Sequence, residues 1–86
     1  MKEIFILEIR WPIGREHMGH KTFYCLSQET AQRKLYEYVR ANWSEEAERK
    51  KSRLPKSMPP GSRTAIREYF DLTEDSYLFE SRPLEA

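Results

Sequence analysis

Glycine is scarce in this chain: Gly14, Gly19 and Gly61 are the only three in 86 residues. No glycine-rich phosphate-cradling loop and no nucleophile elbow can be traced through them, which removes the commonest nucleotide and hydrolase signatures. Cysteine is scarcer still. Cys25 stands alone, so no internal disulfide can form, and the chain reads as one from a reducing compartment. Long apolar runs are missing too. Ile4–Leu7 is followed by Glu8 and Arg10 and is too short for a secretory signal. No stretch approaches the ~20 apolar residues that cross a bilayer. These absences together predict a cytoplasmic protein with no membrane partner.

Acidic residues are absent from one region only. The net charge of +1 conceals a segregation. Residues 49–67 hold seven basic side chains (Arg49, Lys50, Lys51, Arg53, Lys56, Arg63 and Arg67) and no acidic one. Residues 68–86 hold six acidic side chains against Arg82 alone. Charged residues make 34% of the chain and apolar residues 38%, a balance that suits a small globular domain with much surface. The length predicts one domain over 1–86, with a small core.

Ser27 to about Lys50 is the one long helical signal. Ala31, Leu35, Val39, Trp43 and Ala47 recur every four residues, with Tyr36 and Tyr38 widening the stripe. Gln32, Arg33, Glu37 and Arg40 form the solvated side. Ser27 is suited to cap the first turn, Glu29 to sit at the positive end of the helix dipole, and Pro55 to forbid continuation. A helix of this length, with one apolar face, needs a sheet to lie on.

The remaining segments read as strands. Lys2–Trp11 alternates, with Glu3, Phe5, Leu7, Ile9 and Trp11 on one face and Ile4, Ile6, Glu8 and Arg10 on the other. His20–Leu26 follows through a short connection, so a hairpin is expected. Ser52–Ser62 holds three prolines and three serines and reads as a basic loop. Thr64–Leu72 alternates Ile66, Phe70 and Leu72 against Tyr69. A short helix over Arg63–Tyr69 competes with a strand there, and the aromatic content favours the strand. Tyr77–Arg82 is the last strand. The expected fold is α+β, an antiparallel β-β-α-β-β sheet with one long helix packed on one face. Trp43 is expected in the core against Phe5, Leu7 and Ile9. The far face of the sheet would then show some of Ile4, Ile6, Tyr24, Leu26, Tyr69 and Leu78. A contiguous patch of that kind marks an interface, here with a second copy or another partner.

Phe23-Tyr24 leading into Ser27-Gln28-Glu29-Thr30-Ala31, with Tyr69-Phe70-Asp71-Leu72 and Ser76-Tyr77 downstream, resembles small uncharacterised bacterial domain families of ββαβ type. In those a strand leads through an aromatic-plus-serine turn to a helix with alanine on its buried face. The resemblance implies a fold and carries no chemistry. The basic, proline-rich loop departs from it.

Candidate chemistry is thin. His17 and His20 have a spacing that can share a metal, but a site takes three or four ligands, and the nearest others are Glu16 and Cys25. The plainer reading is a polar hairpin loop. Cys25, flanked by Tyr24 and Leu26 in a strand, reads as an inert buried thiol. No catalytic residue, cofactor or metal is expected. The basic segment is the strongest functional feature. It would attract a polyanion, with Tyr36, Trp43 or Tyr69 stacking bases if exposed, or it would complement the acidic C-terminal hairpin. The near-neutral total disfavours a dedicated nucleic-acid binder. Tyr, Trp and Arg are the residue types that dominate protein interfaces. The expected function is therefore a non-enzymatic binding or regulatory protein working through protein–protein contacts. Nucleic-acid binding through residues 49–67 is the alternative.

Overall fold

Period-two alternation makes β1 (Glu3–Pro12) the middle strand of a three-stranded sheet, in the order β2-β1-β3. It pairs antiparallel with β2 (Met18–Cys25) on one side, from Phe5 opposite Cys25 to Pro12 opposite Met18. On the other side it pairs antiparallel with β3 (Ser76–Pro83), from Glu3 opposite Pro83 to Arg10 opposite Ser76. Between β2 and β3 the chain forms α1 (Gln28–Ala47) and α2 (Ser62–Leu72). The structure, a computed structural model, describes residues 2–83. The fold is α+β with an open antiparallel sheet.

The first hairpin closes through Gly14, whose φ of 83° is a conformation that costs a side-chain-bearing residue strain. The backbone N–H of Ile13 donates to the carbonyl of His17 at 2.8 Å across the same turn. β2 starts at Met18, two residues before the expected His20, because Gly19 can lie directly opposite Trp11. Any β-carbon there would meet the indole ring, so glycine lets the ring fold over the neighbouring backbone.

α1 begins as its sequence predicts. The Ser27 side chain accepts from the Thr30 backbone N–H at 3.1 Å, and Glu29 lies in the first turn. Ala31, Leu35, Val39 and Trp43 form the buried stripe. Leu35 packs with Leu7 and Ile9 of β1. Trp43 is buried, but its neighbours differ from those expected. It packs with Val39, Leu54, Ala65 and Tyr69, in a second cluster made by the two helices and the loop between them. Two turns separate Leu35 from Trp43, some 12 Å along the axis at 1.5 Å per residue. That carries Trp43 past the Leu7–Ile9 cluster and onto α2.

The main correction concerns Thr64–Leu72, expected as a strand and found as α2. The order is β-β-α-α-β, and the sheet has three strands. Strand alternation would place Glu68 on the same face as Ile66 and Phe70. A helix instead puts Ala65, Ile66, Tyr69 and Phe70 on one side at spacings of one, four and five. Ala65 and Tyr69 become fully buried by that choice. The loop before α2 is held by its own apolar residues. Leu54 is buried, Met58 packs on the same cluster, and the Trp43 indole N–H donates to the Pro55 carbonyl at 2.9 Å. Its basic charges are thus carried on an anchored segment.

The Cα trace spans only 16 Å along its short axis, one sheet plus one layer of helices. α1 lies over β1 and β2, and the other face of the sheet is bare.

Candidate interaction surfaces

The most unusual polar group in the fold is Asp75, a buried carboxylate. One of its oxygens accepts from the Tyr38 hydroxyl at 2.7 Å and from the Tyr69 hydroxyl at 2.6 Å. Burial, and then the bond to and charge of Asp75, push both phenols well above the ordinary tyrosine range. A phenol held protonated so firmly is a poor acid or base at neutral pH. Glu46 borders the same region and is raised by its own burial, against the pull of Arg49. The two hydroxyls tie the α2–β3 turn, one residue before β3, to both helices. The arrangement is a structural bolt: one turn carboxylate holds a hydroxyl from α1 and a hydroxyl from α2.

The seven basic residues do not form one face. Arg49 pairs with Glu46 at 3.1 Å, just beyond the end of α1. Lys51 shares a hollow with Glu46, Glu74 and Asp75, so acid and base lie side by side there. Lys50, Arg53 and Lys56 are exposed on the turn and the anchored loop. Arg63 and Arg67 lie one turn apart on α2 and line a different groove. Of the three aromatics offered for base stacking, Trp43 and Tyr69 are buried and Tyr36 is half-buried. His17 lies in the hairpin connection and His20 on β2, both exposed. Among the described residues no group of three or more His, Cys, Asp or Glu side chains gathers to hold a metal. Cys25 is buried on the helix-facing side of the sheet, opposite Phe5.

The bare face of the sheet is set by register, because directly opposed residues share a side. Tyr24, Ile6 and Glu80 make one row across the three strands; Thr22, Glu8 and Leu78 make the next. Ile4 and Arg82 lie beyond the first row, and His20, Arg10 and Ser76 beyond the second. Tyr24 is 69% exposed and Leu78 58% exposed, with Leu26 more exposed still just past the end of β2. The charges on this face cancel within it: Arg10 pairs with Glu8, and Arg82 with Glu80 at 3.0 Å. Tyr69, expected on this face, is in the core of α2 instead.

The helix side has an opening of its own. α1 covers β1 and β2, so Tyr77 and Phe79 of β3 remain 41% and 40% exposed although they point toward the helix layer. A groove of about 390 Å³ lies above them. Ala31 and Leu35 of α1 and Ile66 and Phe70 of α2 supply its apolar walls. Gln28 and Gln32 stand on one rim; Arg63, Arg67 and Asp71 stand on the other. Reading α2 as a strand hid this site. The spacing of Arg63 to Arg67 and of Ile66 to Phe70, each one helical turn, was the available signal.

No family model, curated protein or solved structure matches the chain. Among the described residues no helix is long and apolar enough to cross a membrane.

Proposed function

We propose that this chain is a small non-enzymatic binding protein that acts through protein–protein contacts, with the bare sheet face as its principal contact surface and a second copy as its first partner. The observation that carries this reading is the exposed apolar set on that face: Tyr24 and Leu78 around the half-buried Ile4 and Ile6, with exposed Leu26 just past the end of β2. Three strands about 4.8 Å apart and some eight residues long present roughly 14 by 27 Å in projection, apolar and charged side chains together. Exposed apolar patches of several hundred Å² are where proteins associate. The face also suits a copy of itself. Its charges are two neutral Glu–Arg pairs, so two such faces meet without like-charge repulsion, and a two-fold axis can bring the Tyr24–Ile6 regions together.

The buried hydrogen-bonded cluster supports a non-catalytic role, since the hydroxyls of Tyr38 and Tyr69 and the carboxylate of Asp75 are engaged with one another in holding the fold together. The dispersal of the basic residues, two of them (Arg49 and Lys51) beside Glu46 and Glu74, weighs against the nucleic-acid alternative. Sedimentation velocity over a concentration series tests the proposal. The wild type should sediment as a dimer in the micromolar range. Tyr24→Lys with Leu78→Lys should be a folded monomer, because both side chains are largely solvent-exposed in the single chain. A wild type that stays monomeric at millimolar concentration defeats the reading.

A further inference from the structure

The groove between α1, α2 and β3 lies on the opposite side of the sheet from the proposed pairing face, and it has its own recognition chemistry. Its floor is Tyr77 and Phe79, and its apolar walls include Leu35, Ile66 and Phe70. Phe70 and Tyr77 meet edge to face with ring centroids 4.8 Å apart, so wall and floor join as one aromatic surface. Arg63 and Arg67 stand on one rim, and neither makes an ion pair within the described residues. Asp71, one turn further along α2, is the only acid on the rim.

We infer that this groove is a docking site for an acidic amphipathic segment of another protein. Its apolar side chains would fill the floor, and its carboxylates would face Arg63 and Arg67. Charge complementarity selects the occupant. Two cations without partners beside an apolar trough disfavour a basic or purely apolar ligand and favour one that carries carboxylates next to its anchors. The form of the site selects a peptide over an acyl chain. The volume falls within the roughly 300–1,000 Å³ of ligand clefts, but the trough is open along two helices and would leave a lipid tail in water. Aromatic floor plus arginine rim is also the composition of interface hot spots. Asp71 adds polarity: a segment with its acids at the Arg63 end and a basic or neutral residue at the Asp71 end matches the rim in one direction only.

A displayed library of random dodecapeptides, panned on the intact protein, is the probe. Enriched peptides are then titrated by fluorescence anisotropy and mapped by amide chemical-shift changes. The expected result is enrichment of peptides pairing Asp or Glu with Leu, Phe or Trp. Shifts should centre on Ile66, Phe70, Tyr77 and Phe79. Affinity should fall by about tenfold or more in Arg63→Glu with Arg67→Glu, both exposed positions whose change should leave the circular dichroism intact. Exchanging the peptide's acids for lysines should restore binding to that variant, an effect that a purely structural role for the arginines could not produce. Enrichment of peptides without carboxylates, shifts centred on Tyr24 and Leu78, unaltered affinity in the double variant, or no enrichment at all each overturns the inference. Tyr24→Lys with Leu78→Lys should leave peptide binding unchanged, so failure of the pairing face and failure of the groove are separable.

Discussion

Asp75→Ala should remove about 2–3 kcal/mol of stability, and the reason lies in how unequally its two partners are buried. Tyr69 is 0% exposed. Without the carboxylate its hydroxyl keeps its place in the core and loses its hydrogen-bond partner. Losing a hydrogen bond to a charged acceptor there costs about 1.5–3 kcal/mol. Tyr38 is half-buried and borders an open hollow with Trp11 and Asn42, so water can replace most of its bond, at a cost below about 1 kcal/mol. Against these stands a gain, since a buried carboxylate no longer has to be desolvated. The net loss is a large share of the ~4–13 kcal/mol that a chain of this size commands. Urea unfolding followed by the fluorescence of Trp11 and Trp43 measures it. Asp75→Asn retains one acceptor and should lose less. Combining Asp75→Ala with Tyr69→Phe should cost clearly less than the sum of the two single changes, with a coupling above about 1 kcal/mol. A loss below about 0.5 kcal/mol for Asp75→Ala, or strict additivity, would refute the view that this carboxylate bolts the turn before β3 to the helices.

Three further outcomes follow from the same packing. Trp43→Ala should cost about 3–5 kcal/mol by urea unfolding, as expected for truncating a large buried aromatic, and it also removes the 2.9 Å bond that anchors the loop at Pro55. Gly19→Ala should cost about 1–3 kcal/mol in thermal melts, because the new methyl meets the Trp11 ring and comes within 2.8 Å of Ile13 Cδ1. Stability should hold up to about pH 10 and fall above it. The folded state keeps protons on Tyr38 and Tyr69 that the unfolded chain releases near pH 10, so the unfolded state binds fewer protons and gains as pH rises. Urea midpoints between pH 8 and 11 should show this fall, and Tyr38→Phe with Tyr69→Phe should flatten it.

The hairpin, α1 and its Ser27 cap were legible because each rests on local pattern: alternation in β1, period four along α1, and a side chain able to bond its own first turn. α2 was not, because aromatic and β-branched residues in a nine-residue window satisfy both periods. What decides it is tertiary. Ala65 leaves room for α1, and Tyr69 reaches Asp75, a partner six positions away that no local rule supplies. The candidate surfaces divide the same way. The bare face could be read from β1, whose first half is apolar on both sides. The groove was legible only through the one-turn spacings of α2, since it exists where α1 stops short of β3 and α2 fails to close the gap. The seven basic residues looked like one feature because they are consecutive in charge, but the turn after α1 and the anchored loop place them at different parts of the surface.

The central claim is that the bare sheet face is covered in solution by a second copy. A soluble paramagnetic agent, added to the isotope-labelled protein at low and at high concentration, reports that coverage residue by residue. Relaxation enhancement at Tyr24, Leu78 and Ile6 should drop as concentration rises, while Glu37 and Arg40 on the outer side of α1 stay fully enhanced. Enhancement at Tyr24 and Leu78 that is high and unchanged across the series would contradict the account.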